Sequence, residues 1–209
     1  MKRNVSLRRT GALLLTLIAL GAAGCARNVT RIAPEQAIDL SGRWNDVDSR
    51  LVAEEMIRQS FESQYGANWA MRYSQAHGGQ QPTVIVGTIR NRSMEHIPVG
   101  TFTRDLERAY VNSGIVQLVA SRSERGEVRE EREDQQEFAT ADSRARLGRE
   151  MGAQYMLQGD IQSIEDRERG KSVVFYQVDM TLVDLESNAK VWVGQHKIKK
   201  FIERPRLGF

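Results

Sequence analysis

From Gln154 to Lys199 the chain alternates apolar and polar residues over long stretches, and this pattern limits the fold more than any other feature. Tyr155, Leu157, Gly159 and Ile161 alternate with Gln154, Gln158 and Asp160, and Val174, Tyr176, Val178, Met180 and Leu182 alternate with Gln177, Asp179 and Thr181. After a polar turn at Asp184–Ala189, Lys190 to Lys199 alternates again, placing Trp192, His196 and Ile198 on one face. Successive side chains of a strand point to opposite faces, so the pattern predicts three strands, each half-buried. Short polar connections join them, which makes an antiparallel meander. One face then packs on helices, and the other meets solvent or a partner.

The residues upstream supply those helices. Ser41 to Asp48 offers turn formers and caps, and Val47/Leu51, Val52/Met56 and Ile57/Phe61 are i, i+4 apolar pairs of a helix. A second short helix over 68–75 carries Trp69 and Tyr73 and ends at Gly78-Gly79. Pro82-Thr-Val-Ile-Val-Gly87 is a continuous apolar run between breakers, the pattern of a central strand. Phe102, Leu106 and Tyr110 recur every four residues and predict a helix over 101–112 that Gly114 stops, and Ile115 to Ala120 predicts a further strand. Arg122 to Glu137 is dense in charge, with Val128 its one strong apolar residue, and is read as a solvated helix or loop. Thr140 to Met151 is predicted as a capped helix closed by a left-handed Gly152. The sum is an α+β fold, a single domain with one mixed sheet backed by helices and ending in the three-stranded antiparallel meander.

The amino terminus has another character. Lys2, Arg3, Arg8 and Arg9 precede thirteen uncharged residues, Gly11 to Ala23, and small residues lead to Cys25, the single cysteine. A permanent span needs about 20 apolar residues, so the run is sized for a secretory signal. Ala22-Ala23-Gly24-Cys25 resembles a bacterial lipobox, with Ala22 where that pattern favours leucine. The expected organisation is a signal peptide (1–24), a short tether (25–38) beginning at a lipidated Cys25, and a globular domain (39–209). The whole chain carries a formal +3, but removing the four leader cations leaves 26 basic against 27 acidic residues. The mature chain is then close to neutral, which argues against a nucleic-acid partner.

Motifs of catalysis are missing from the sequence. His77, His96 and His196 lie far apart without metal-ligand spacing, and the one thiol is committed to lipid. Neither a Gly-x-Ser-x-Gly elbow nor a phosphate loop occurs, and the grouped carboxylates sit on charged faces. The reading is therefore a binding protein and not an enzyme, with no catalytic residue, metal, cofactor or small-molecule substrate expected.

Four segments carry a resemblance. Asp39-Leu-Ser-Gly-Arg-Trp-Asn-Asp-Val-Asp-Ser49, Pro82 to Ile97, Leu147 to Gly159, and Val191-Trp-Val-Gly with Ile198-Lys-Lys200 together resemble LpoB-type penicillin-binding protein activators. The resemblance implies a domain similar to the amino-terminal domain of TolB. It also implies a lipoprotein of the outer membrane, carrying diacylglycerol and palmitate at Cys25, with its domain facing the periplasm. The implied partner is a class A penicillin-binding protein, a peptidoglycan synthase that the lipoprotein docks onto and stimulates in cell-wall synthesis. Well-known members have a long Pro-rich tether, whereas the tether here, about 14 residues, reaches at most roughly 50 Å. The alternative is a structural or assembly lipoprotein of an envelope or secretion complex near the outer membrane. Interfaces favour Arg, Tyr and Trp anchors, so Arg104, Arg108 and Tyr110, with Arg125, Arg129 and Arg132, are the candidate partner-binding residues. Trp44 with Asn45, Asp46 and Asp48 is read as a buried aromatic beside a helix cap, Asn91 as a turn former and His96 as a loop residue.

Overall fold

The alternating carboxyl-terminal sequence forms three strands of equal length, β3 (Tyr155–Glu168), β4 (Lys171–Asp184) and β5 (Lys190–Glu203). These coordinates are a computed structural model that describes residues 30–34, 36–62, 69–145 and 150–203. The leader and Cys25 lie outside the described residues. Upstream come α1 (Asp46–Phe61), α2 (Trp69–Ala76), β1 (Thr83–Asn91), α3 (Val99–Ser113), β2 (Gln117–Leu118) and α4 (Arg122–Phe138).

The sheet order is β2-β1-β3-β4-β5. β1 pairs in parallel with both β2 and β3, while β3, β4 and β5 form the predicted antiparallel meander. Arg169 (φ 44°) and Gly170 (φ 86°) make the two-residue β3–β4 turn, the positive-φ pair that matches the twist of a tight hairpin. Asp184 closes the β4–β5 turn, where its Oδ1 accepts the amides of Glu186 and Ser187 at 3.0 and 2.8 Å.

The two sheet faces differ as the alternation requires. On the inner face Leu157, Ile161, Val174, Tyr176, Val178, Met180, Leu182 and Trp192 are buried. They pack against Val52, Met56, Phe102, Leu106 and Tyr110 of α1 and α3 in one core. On the outer face of β3–β5 no residue is buried. All of this lies within one compact unit, Ala37–Phe209. The α+β architecture is the expected one.

Three local expectations change. The strand expected over 115–120 shortens to Gln117–Leu118, because Ser121 already opens a capping box with Glu124 and starts α4. The helix expected from Thr140 stops after one turn, closed by Ser143 and Arg144 amides on the Thr140 carbonyl. Gln135 and Gln136 of α4 then bind the Ala145 amide and carbonyl at 2.8 and 2.9 Å, so the backbone groups a helix would use are occupied. Residues 146–149 of that expected helix lie outside the described residues. Gly152 is not in a left-handed conformation. Its carbonyl accepts the Thr83 hydroxyl at 2.8 Å, tying the entry of β3 to the start of β1.

Candidate functional site

The first motif, 39–49, folds around the amino terminus of α1. Asn45 caps the helix: its side chain accepts the Asp48 amide at 3.0 Å, and Asp48 Oδ2 accepts the Asn45 amide at 2.9 Å. Such a reciprocal box satisfies two donors that a helix start otherwise leaves open. Gly42, at φ 69°, turns the chain into this cap with its α-carbon against Ile202 of β5. A Cβ there would collide with Ile202, so the position requires glycine on both counts.

Lys200 reaches the same place from β5. Its ammonium donates to Asp48 Oδ2 at 2.6 Å, Asp39 Oδ1 at 2.9 Å and the Arg43 carbonyl at 3.1 Å. The Lys200 and Asp48 side chains are each only 10% exposed. Burial by itself would lower the lysine pKa, but the two carboxylates more than offset it and hold the pKa above the ordinary value.

The second motif, 82–97, closes the other side. Asn91, at the end of β1, orders the following loop: its amide donates to the Glu95 carbonyl at 2.7 Å and its oxygen accepts the Ser93 amide at 2.9 Å. The loop carries Glu95 inward, where it accepts the Tyr176 hydroxyl at 2.7 Å and the Trp44 amide at 3.3 Å. Burial, then the bond to Glu95, raises the Tyr176 pKa well above the phenolic range. Trp44 is half-buried, edge-on to Phe102 and Tyr176 at 5.9 and 5.6 Å, and donates from Nε1 to Ser49 at 2.7 Å. This cluster ties the first two motifs to the end of the meander. Lys200 is paired with Asp48 and Asp39, and Glu95 is held by the Tyr176 hydroxyl and the Trp44 amide, so the cluster's polar groups fix local architecture.

The candidate partner-binding residues divide. Tyr110 is fully buried in the core between α1, α3 and the sheet and cannot serve as a surface anchor; it belongs to the same helical face as Phe102 and Leu106. Burial pushes its phenol pKa up. Arg104 is exposed on α3, and Arg108, also exposed, pairs with Asp105 at 2.9 Å. Arg125, Arg129 and Arg132 lie at i, i+4 and i+7 of α4, hence on one side of that helix. Glu150 faces them: it takes two bonds of 2.8 Å from Arg129, and Arg132 approaches it at 3.6 Å. The hydrogen bonds from Arg129 hold the Glu150 carboxyl below the ordinary carboxylate range. No residue of α4 is buried, although it runs for 17 residues.

His77 stacks on Tyr73 at 3.9 Å and its Nδ1 contacts the Tyr73 carbonyl at 2.8 Å, while His96 is exposed in the loop and His196 is half-buried on β5. Among the described residues there is no group of three or more His, Cys, Asp or Glu side chains suited to a metal, and no helix long and apolar enough to cross a membrane.

Sequence reasoning named Trp44, Asn45, Asp48 and Asn91 but missed Lys200, Glu95 and Tyr176 as their partners. One signal was available. Lys200 shares the inward alternation of Trp192 and Ile198, and a lysine on a buried strand face requires a carboxylate opposite. Nothing local in the sequence marks Glu95.

The family model described as peptidoglycan-synthase activator LpoB matches residues 48–198. Among solved structures, the carboxyl-terminal domain of LpoB from Escherichia coli aligns at 16% identity, over 73% of this chain and 99% of that one, with a TM-score of 0.44. The solution structure of E. coli LpoB aligns at 15% identity over 87% and 83% of the two chains, TM-score 0.39. Lipoprotein GNA1162 from Neisseria meningitidis aligns at 18% identity over 57% and 83%, TM-score 0.36. No curated protein sequence matches the chain significantly.

Proposed function

This chain belongs to the LpoB family of peptidoglycan-synthase activators, and from that premise we propose that it is a non-enzymatic lipoprotein that binds and activates a class A penicillin-binding protein. The observation that carries the reading is the family match across 48–198, which includes most of α1 and all of β1, α3, α4, β3 and β4. Activation by a protein without its own catalytic groups is allosteric: binding favours the synthase conformation that polymerises and crosslinks glycan. The anchor is diacylglycerol and palmitate on Cys25, placing the domain on the periplasmic side of the outer membrane.

The docking residues proposed are Arg104 with the α4 row Arg125, Arg129 and Arg132. The core makes no use of α4, so its sequence is free to be shaped by a partner. In-cell photo-crosslinking from exposed α4 positions such as Glu127 and Glu130 tests this. Capture of a class A synthase supports the reading; capture from α4 of other envelope proteins only would overturn it.

One observation favours a second reading. The tether between Cys25 and Asp39 reaches at most roughly 50 Å, which keeps the domain near its own membrane. An assembly lipoprotein of an envelope or secretion complex needs no longer reach. On the activator reading, the synthase itself must project toward the outer membrane.

A further inference from the structure

The strand order leaves β2 and β5 as the two edges of the sheet. β2 is two residues long and offers little to pair with. β5 runs for 14 residues without proline, and its register with β4 is unbroken from Trp192 to Glu203. The Leu185 amide donates to the Gln154 carbonyl and the Asp184 amide to the Ala189 carbonyl, both at 2.9 Å. Odd-numbered residues of β4 therefore bond to β3 and even-numbered ones to β5, because successive residues of a strand turn their backbone groups to opposite sides. The even-numbered partners on β5 are Gly194, His196, Ile198, Lys200 and Ile202. Val193, Gln195, Lys197, Lys199 and Phe201 thus turn their N–H and C=O groups to the open edge, where no backbone hydrogen bond among the described residues reaches them.

The side chains of the same residues are exposed. No ion pair among the described residues engages Lys197 or Lys199. We propose that this edge takes up an extended segment of a partner protein as a sixth strand, with acidic residues at two alternate positions opposite Lys197 and Lys199.

Strand addition draws affinity from main-chain hydrogen bonds and selectivity from alternate side chains. Residues directly opposite in an antiparallel pair lie on one face with Cβ atoms about 4.5–5.5 Å apart. The chemistry of the added strand follows position by position: apolar against Phe201, acidic against Lys199 and Lys197, apolar against Val193. A second copy is the poorer occupant, since lysines along an edge are how sheets resist pairing with copies of themselves. The charge that repels a basic edge attracts an acidic one, so the same lysines exclude and select.

The probe is a capped peptide, Val-Thr-Glu-Thr-Glu-Thr-Thr-Thr-Val, titrated onto the full lipoprotein in detergent micelles and followed by residue-resolved amide hydrogen exchange in NMR. Saturable binding is expected, slowing exchange at Val193, Gln195, Lys197, Lys199 and Phe201 and leaving the even-numbered amides between them, already bonded to β4, unchanged. Lys197→Glu/Lys199→Glu should weaken binding by at least about tenfold. A peptide with lysine in place of both glutamates should restore it, which also shows that the variant folds. N-methylation at the odd positions of the peptide, whose amides face β5, should abolish binding, and at the even positions should not. The proposal is overturned by lack of saturable binding, or by slow exchange at those five amides before peptide is added. Indifference to charge reversal or to the position of the N-methyl groups, or failure of the charge-swapped peptide, also overturns it.

Discussion

Replacing Lys200 with methionine keeps the aliphatic stem and removes the ammonium, and its cost can be worked from the three bonds that ammonium makes. All three N–H groups are used, at 2.6, 2.9 and 3.1 Å. Removing one partner of a fully buried ion pair costs about 3–5 kcal/mol, whereas an exposed pair contributes about 0.2–1 kcal/mol. The Lys200–Asp48 bond lies toward the first limit, with both side chains 10% exposed, and Lys200–Asp39 toward the second, with Asp39 56% exposed. Lys200→Met should therefore cost about 2–4 kcal/mol, a fall in Tm of about 5–15 °C for a domain of this size. A double-mutant cycle with Asp48→Asn should return a coupling of at least about 1.5 kcal/mol. The sign with pH follows from the raised lysine pKa. The stabilisation is complete below the unfolded lysine pKa and is lost only as pH rises through the higher folded value. The difference between wild type and variant should then be constant through neutral pH and shrink above roughly pH 10.4. Chemical denaturation monitored by tryptophan fluorescence measures the loss, the coupling and the pH dependence, and a thermal melt gives the Tm. A loss below about 1 kcal/mol, or a coupling within about 0.5 kcal/mol of zero, would refute the view that this cluster holds the first motif to the meander.

Gly194 of β5 lies under the Trp192 ring, where an added Cβ would overlap the indole. Gly194→Ala should cost about 1–3 kcal/mol by overpacking, read from the urea midpoint. The Glu55 carboxyl is held down to about 2, chiefly by its hydrogen bond from Arg58, and Glu124 and Glu150 are also lowered. Their stabilisation is present above the unfolded glutamate pKa, about 4.3, and is lost as pH falls toward 2. The urea midpoint should drop across that window, and less steeply in Arg58→Gln. Replacing Arg125, Arg129 and Arg132 together with alanine should lower the melting temperature only slightly, because the pairing it removes, with Glu150, lies at the surface. The same change should weaken synthase binding tenfold or more in a pull-down titration.

The parts of the fold legible from sequence were those set by period. An alternation as regular as that of Val174 to Leu182 has one inexpensive solution, a half-buried strand, and the spacing of Phe102, Leu106 and Tyr110 fixes which side of α3 faces the core. Where the structure departed, a competing hydrogen bond decided. Gln135 and Gln136 ended the helix expected from Thr140 by taking the Ala145 backbone, and the Ser121 cap cut β2 short. The same periodicity should have removed Tyr110 from the anchor residues, since it sits on the buried face of its own helix. The polar cluster was half legible. Asn45 and Asp48 declare a cap by their spacing alone, but Glu95 and Tyr176 lie 81 residues apart, and only the assembled sheet brings them together.

On the proposed function, binding by this domain accelerates a synthase without adding a chemical step of its own. The direct measurement is the initial rate of glycan-chain polymerisation by a purified class A penicillin-binding protein from the same cell, with and without the full lipoprotein. A saturable, several-fold increase in rate is predicted, reduced when Arg125, Arg129 and Arg132 are replaced. An unchanged rate at concentrations where the two proteins are shown to bind would contradict it.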